Sequence, residues 1–370
     1  MLSTRSMRTA GLVASVALLA AACGSDENVG QTGVDAPEID CKGAETLAAS
    51  GSSAQANAMT RFINVYQAAC ENHTVNYNSS GSGAGVSDFL AAQTEFGGSD
   101  SPLDAEAGEV ADARERCGGN DPWHLPAVFG PIAISYNLEG VQDGIALDGP
   151  TLGKIFSGEV TSWDDPAIAE LNEGVELPDQ DITVIFRSDE SGTTDNFQQY
   201  LQTAAGDDWG QGAGKTFNGG VGEGAKGNEG TASAVASTPG AVSYNEWSFA
   251  QQRDLQMASV INSGGGEPVE LTVESAGAAI DAAEFAGDGN DLRLDLDSIY
   301  GTETEGAYPL VLATYEIVCS TYPDTEVAEA VKTFLSVAVT DGQQNLEEHG
   351  YIPLPSKFEE RMTTAVEAIS

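Results

Sequence analysis

Residues 182–197 read ITVIFRSDESGTTDNF, and the fold is decided by how this stretch divides. Ile182 to Phe186 is a short apolar, β-branched run, the signature of a buried strand. Phe197, Tyr200 and Leu201 then recur at helical spacing, so a helix follows within a few residues. The connection holds Arg187, Asp189, Ser191, Gly192 and Thr193. A helix that begins among hydroxyls and a glycine is a ready anion site, because its first N–H groups lack partners and its dipole favours negative charge. An arginine four residues before the serine adds a planar fork suited to tetrahedral oxyanions. Alone, the same residues also fit an ordinary capped helix with a surface Arg187–Asp189 ion pair.

The pattern recurs upstream. Thr46 to Ala49 reads as the end of a strand, Ser50-Gly51-Ser52-Ser53 as a turn, and Met59, Phe62, Ile63 and Tyr66 as a helical stripe. Val75 and Tyr77 alternate as in a strand, the turn Ser79-Ser80-Gly81-Ser82-Gly83-Ala84-Gly85 follows, and Val86, Phe89 and Leu90 open another helical face. After Phe96-Gly97-Gly98-Ser99-Asp100, Ser101 is expected to cap a helix with Pro102 at its first position. Four such junctions in one chain imply loops converging on a small ligand at the carboxyl ends of strands in an α/β sheet. Two nucleotide look-alikes fail. Gly81 to Gly85 has the wrong glycine spacing for a dinucleotide loop, and Gly210-Gln-Gly-Ala-Gly-Lys-Thr216 lacks the first glycine of a P-loop and a following helix.

At 370 residues the chain has room for two domains. Its 57 acidic against 15 basic residues give a net charge of −42, which argues against nucleic acid and anionic membrane surfaces as partners. An anion ligand is still compatible, since screening confines surface fields to about 8 Å. At the N-terminus, Arg5 and Arg8 precede an apolar run from Gly11 to Ala22 that is too short to span a bilayer. The run ends Ala20-Ala21-Ala22-Cys23, like a bacterial lipoprotein signal: residues 1–22 are expected to be removed and Cys23 lipidated, although Ala20 stands where leucine is usual. Residues 23–40 are polar and read as a flexible tether. Cys41, Cys70, Cys117 and Cys319 remain, an even number that favours two disulfides with three pairings open. No C-x-x-C or nearby histidine suggests a metal, and no cofactor is expected.

The four loops occur in the order seen in the PstS family, the phosphate-binding proteins of bacterial phosphate ABC transporters, which the chain resembles. The likeness extends through Leu147 to Phe156, Trp163-Asp-Asp-Pro166, Ala225-Lys-Gly-Asn-Glu-Gly230 and Gly240 to Phe249, and reaches Tyr351-Ile-Pro-Leu-Pro355. It therefore covers nearly the whole chain after the signal, and is strongest with the lipoprotein members of mycobacteria and their actinobacterial relatives. The resemblance implies a two-lobed α/β periplasmic-binding-protein fold with a cleft between lobes and two hinge crossings. Lobe I is expected at 41–125 and 307–370, and lobe II at 126–306. The phosphate ligands carry over onto Ser52, Ser53, Ala54, Ser82, Asp100, Arg187, Ser191, Gly192 and Thr193, with Asp189 orienting Arg187 from behind. Ala54 stands where the family often has phenylalanine.

The cysteines would lie at the end of the lobe remote from the ligand. The expected protein is a monomeric, lipid-anchored receptor on the extracytoplasmic face that serves ABC-transporter permease subunits and is not an enzyme. The competing readings are a receptor for another tetrahedral oxyanion, a phosphate-ester hydrolase, and a surface antigen with a degenerate site. Against the hydrolase, His73, His124 and His349 sit in no recognisable nucleophile context and no G-x-S-x-G elbow occurs.

Overall fold

The computed structural model describes residues 39–141 and 144–370; the signal sequence, Cys23 and the tether as far as residue 38 lie outside them. The first third alternates β1 (Thr46–Gly51), α1 (Ala56–Ala69), β2 (Thr74–Asn78), α2 (Ser82–Leu90), β3 (Phe96–Ser99) and α3 (Glu109–Arg116). The long strand β4 (Pro122–Tyr136) leads to β5 (Ala146–Asp148), α4 (Gly149–Ser157), α5 (Pro166–Ala169), β6 (Thr183–Arg187) and α6 (Gly192–Ala204). Then come β7 (Glu223–Ala225), α7 (Gly227–Ser237), β8 (Ala241–Glu246), α8 (Trp247–Gln252), β9 (Gln256–Met257), β10 (Ser259–Ile261) and α9 (Val273–Asp281). The chain closes with β11 (Glu284–Phe285), β12 (Leu294–Asp295), α10 (Asp297–Tyr300), β13 (Val311–Cys319), α11 (Thr325–Ala338) and α12 (Ser356–Glu367). None of the described helices is long and apolar enough to cross a membrane.

Nine strands form one curled mixed sheet in the order β2-β1-β3-β13-β4-β8-β6-β7, with β9 also on β4. Strand β1 runs parallel to β2 and β3, and β6 runs parallel to β7 and β8. These are the two α/β halves. They are joined through β13 and β4, which pair antiparallel from Val311↔Pro131 to Cys319↔Pro122. Beyond Pro131, β4 changes partner and pairs with β8 from Ile132↔Glu246 to Tyr136↔Val242. Strands β4 and β13 are buried almost end to end, which is why they read as mainly apolar without a regular alternation.

Residues 182–197 fold as their letters suggest. Strand β6 ends at Arg187, and Ser191 caps α6 by accepting the Thr194 N–H at 3.2 Å. Phe197 stacks on Tyr244 of β8 with ring centroids 4.5 Å apart and meets Phe156 of α4 at 4.6 Å. Burying an aromatic of this size stabilises by about 1.5–3 kcal/mol, so the stripe of α6 fixes where its polar first turn points.

One junction differs from expectation. No helix starts at Pro102; α3 begins at Glu109. Ser101 donates its hydroxyl to Asp195 at 2.5 Å instead of capping, and the Leu103 N–H is taken by His124 Nε2 at 2.9 Å. Both groups that would start a helix are thus committed to tertiary partners. The cysteines pair as Cys41–Cys70 and Cys117–Cys319. From Thr314, Cys319 lies five residues along β13, roughly 17 Å at strand rise.

Candidate functional site

Three helix N-termini and two loop segments meet where the two halves of the sheet face each other. From the first half come the β1–α1 turn, the N-terminus of α2 and the segment after β3. From the second come the N-termini of α6 and α7. Ser52, Ser53, Ala54, Ser82, Asp100, Arg187, Ser191 and Thr193 are all 5 % exposed or less, and Gly192 is buried with them. Of the nine expected residues, Ser52, Ser82, Gly192 and Thr193 approach Asp100, Arg187 reaches Thr193, and Ser53 is linked to Thr193 through Asn228, while Ala54 and Ser191 sit next to Ser53 and Gly192 in the chain.

Close backbone approach explains the glycines. Gly51 sits at φ +147, and a Cβ there would lie 2.0 Å from the Gly98 carbonyl oxygen. At Gly192 a Cβ would lie 2.5 Å from the Asp100 Cβ and 2.6 Å from Ser82 Oγ, so only glycine lets the start of α6 reach Asp100.

Asp100 is the hub of the hydrogen bonding. Its Oδ1 accepts from Thr314 at 2.7 Å, and its Oδ2 is 3.4 Å from both Ser82 Oγ and Thr193 Oγ1. The Asp100 N–H donates to Ser82 Oγ at 3.2 Å. Burial pushes the carboxyl above its ordinary value, against the pull of the Ser52, Thr314 and Ser82 hydroxyls and the Arg187 charge. A carboxyl with raised proton affinity is a strong acceptor for an O–H.

Arg187 is the buried cation. Its Nε and Nη2 donate to the two oxygens of Asp189 at 2.8 and 2.6 Å, a two-pronged pair. The pair is buried, not a surface contact: the two side chains are 1 % and 11 % exposed. Burial raises the Asp189 carboxyl, but Arg187 and the Gly227 N–H outweigh it and hold the group below its ordinary value. Arg187 Nη1 also reaches Thr193 Oγ1 at 3.4 Å. Of five N–H donors these three bonds leave two uncommitted among the described residues.

The remaining groups are donors. Ser191 accepts the Thr194 N–H yet keeps its own proton to give. Ala54 turns its N–H onto Ser52 Oγ at 3.0 Å, while its carbonyl accepts from Tyr351 at 2.7 Å. Ser53 Oγ takes both the N–H and the Nδ2–H of Asn228, at 3.0 and 3.2 Å. Among the described residues, the Asp100 carboxylate, the Asp189-paired Arg187 guanidinium and a surround of hydroxyls form a cage suited to a small anion that itself carries a hydroxyl.

The chain matches the family model of the PBP superfamily domain over residues 36–341. It is 55 % identical over 364 residues to the phosphate-binding protein PstS 3 of Mycobacterium tuberculosis, covering 97 % of each chain. The chain belongs to the PstS family. Within that family the likeness to PstS 2 of the same organism is 49 % over 368 residues, 99 % of each chain, and to PstS of Xylella fastidiosa 34 % over 295 residues, covering 78 % of this chain and 76 % of that one. Among solved structures, the high-affinity periplasmic phosphate-binding protein PfluDING bound with phosphate aligns with a TM-score of 0.69 at 20 % identity, covering 86 % of this chain and 93 % of that one. The phosphate-binding protein of Stenotrophomonas maltophilia aligns at 0.61 and 18 %, with the same coverage. This chain thus has the two-lobed fold of the PstS family's periplasmic-binding-protein relatives.

Two residues of this PstS-family site are missing from the sequence-derived set. Asn228, on the first turn of α7, bridges Ser53 Oγ, Thr193 Oγ1 at 3.2 Å and the Glu246 N–H at 2.9 Å. Thr314, in the middle of β13, anchors Asp100 Oδ1. The Ala225 to Gly230 motif was the available signal for Asn228; for Thr314 the hint was a hydroxyl close to Glu316 in a mainly apolar run.

Proposed function

We propose that this protein binds inorganic phosphate outside the cytoplasm and delivers it to the permease of an ABC transporter. The observation that carries this reading is Asp100 Oδ2, a lone carboxylate oxygen aimed into a ring of donors beside Arg187. Phosphate at neutral pH keeps at least one P–OH, whereas sulfate has none. Facing a carboxylate, the P–OH makes a hydrogen bond; an unprotonated sulfate oxygen meets repulsion and no bond. Arg187 supplies the formal positive charge, and Ser53, Ser82, Ser191, Thr193 and the N–H groups around Gly192 replace the ion's water shell; the Ala54 N–H is spent on Ser52 Oγ, so Ala54 serves by shaping the turn. The relatives' names and the phosphate-bound neighbours support the same ligand.

Lobe I is assigned to 41–125 with 307–370 and lobe II to 126–306, so that β4 and the segment entering β13 carry the two crossings. Closure of the lobes joins Ser53 to Asn228, Ser101 to Asp195, and Asn57 to Ser248 at 2.7 Å. The protein acts as a monomer, tethered by a lipid on Cys23 after loss of the signal sequence. No chemical step is assigned to it: His124 spends Nδ1 on Asp291 and Nε2 on Leu103, which leaves neither nitrogen as a base for an ester. Equilibrium dialysis of ligand-stripped protein against labelled phosphate tests the reading. Saturable retention of one ion per chain at micromolar phosphate is expected, and no retention overturns it.

A further inference from the structure

Asn196, in the second turn of α6, is 1 % exposed and has both ends of its amide engaged. Its Nδ2 donates to the Asp100 carbonyl and to the Gly192 carbonyl, each at 2.8 Å, and its Oδ1 accepts the Tyr300 hydroxyl. Two carbonyl oxygens can only accept, and Tyr300 has one proton to give, so the partners themselves fix which way the amide points. Tyr300 is fully buried at the end of α10. Among the described residues no other donor reaches the Asp100 carbonyl.

These partners come from both halves of the molecule. Gly192 and Tyr300 share the proposed lobe II with Asn196, whereas Asp100 belongs to the proposed lobe I. There Ser82 Oγ accepts the Asp100 N–H at 3.2 Å and Thr314 donates to its Oδ1 at 2.7 Å. One side-chain nitrogen therefore ties the backbone of the residue carrying the ligand-facing carboxylate to the helix whose first turn carries Gly192 and Thr193. The next residue on each side repeats the link, with Ser101 donating to Asp195 at 2.5 Å. Within lobe II, Tyr300 and the Gly192 carbonyl hold the amide in place before the halves meet, so receiving the Asp100 carbonyl costs little side-chain freedom.

We propose that Asn196 is the clasp of the closed cleft: its preset amide receives the Asp100 carbonyl when the lobes meet, and so seats the Asp100 carboxylate against the start of α6. Asn196 is a positioning residue that acts through Asp100 and does not touch the ion. Two consequences follow from the geometry. The bond to Asp100 exists in the closed form, so it governs how fast the ion leaves rather than how fast it arrives. The side chain must also be a donor, because an acceptor of the same shape would face two carbonyl oxygens and lie near the Asp100 carboxylate.

The inference rests on the phosphate-binding reading, and its test tells the two apart. Phosphate Kd is measured by calorimetry on ligand-stripped parent, Asn196→Ala and Asn196→Asp, and release of labelled phosphate into excess unlabelled phosphate is timed by rapid filtration. Asn196→Ala leaves the Asp100 carbonyl buried without its donor, and is expected to bind about 5- to 150-fold more weakly, with the loss in faster release. Asn196→Asp keeps the shape and the bond from Tyr300 but turns the donor into an acceptor, and is expected to bind more weakly than Asn196→Ala. A residue that merely fills space gives the opposite order, so Asn196→Asp binding as well as or better than Asn196→Ala overturns the proposal. So does an Asn196→Ala protein that matches the parent, or one that binds more weakly with its release rate unchanged. Should either variant fail to fold, Tyr300→Phe decides: it keeps the ring and removes the proton that orients the amide. Its release rate is expected to rise about 2- to 12-fold, the worth of one neutral hydrogen bond, and an unchanged rate overturns the clasp. A parent that retains no phosphate brings down the functional reading and the clasp with it, whereas a binding parent with unaffected variants brings down the clasp alone.

Discussion

Asn228→Ala should separate what this residue does for folding from what it does for binding. Its Oδ1 accepts the Glu246 N–H at 2.9 Å, a bond within the second half of the molecule that persists whether the cleft is open or closed. Removing it leaves a buried N–H without a partner, at a cost of about 1–3 kcal/mol of stability. Its Nδ2 reaches Ser53 Oγ at 3.2 Å, a bond between the two α/β halves that the proposed lobe closure would form. Losing one neutral bond of that kind costs about 0.5–1.5 kcal/mol, or about 2- to 12-fold in Kd. The Asn228 backbone N–H still holds Ser53 Oγ at 3.0 Å, so the loss stays in that range. Urea unfolding of the ligand-free protein measures the first quantity and phosphate calorimetry the second. An unchanged ligand-free stability would refute the assignment of Oδ1. A loss of affinity beyond about 100-fold would refute the assignment of Nδ2 and place the side chain on the ion itself.

Asp100→Ala should weaken phosphate binding and erode the preference over sulfate, because the carboxylate proposed to accept the ligand hydroxyl is gone; calorimetry with both ions reads this, and an unchanged preference counts against the role. Asp189→Asn leaves Arg187 buried without its carboxylate, so stability at neutral pH should fall by about 3–5 kcal/mol. The Asp189 value is depressed in the fold, so its contribution is complete above the ordinary 3.8 and is lost as pH falls below it; urea curves of variant and parent should converge in acid. Replacing Cys117 and Cys319 by alanine opens a link across 202 residues, against 29 for Cys41–Cys70. Chain-entropy arithmetic makes the longer link worth about 1.7 kcal/mol more, measurable as a larger drop in urea stability, with phosphate affinity retained in both double variants.

The loops of the site were legible because their chemistry is local. Ser191 must cap, Gly192 must admit Asp100, and the stripe of Phe197, Tyr200 and Leu201 must face a core, so the letters around Arg187 announce the geometry. Where the structure departs, long-range partners decide. Ser101 and Pro102 carry a helix-start signal, but Asp195 and His124 lie 94 and 21 residues away and take the groups that would have used it. Asn228 stayed hidden because β7 has only three residues and α7 is built from small residues with little apolar stripe, so no strand-to-helix junction stood out. Thr314 and Glu316 lie in a strand buried along its whole length, where alternation gives no clue to which polar residue has a partner across the sheet. The disulfide pairing depends on how β13 returns beside α3, which no spacing in the sequence encodes.

The most direct test is the ratio of Kd values for sulfate and phosphate, measured by calorimetry on ligand-stripped protein at neutral pH. A site built to receive a ligand hydroxyl rejects an analogue lacking it by about 10⁴–10⁵, so phosphate should bind tightly, arsenate should compete, and sulfate should give no heat at matched concentration. A ratio near one, with both ions bound, would contradict the role assigned to Asp100.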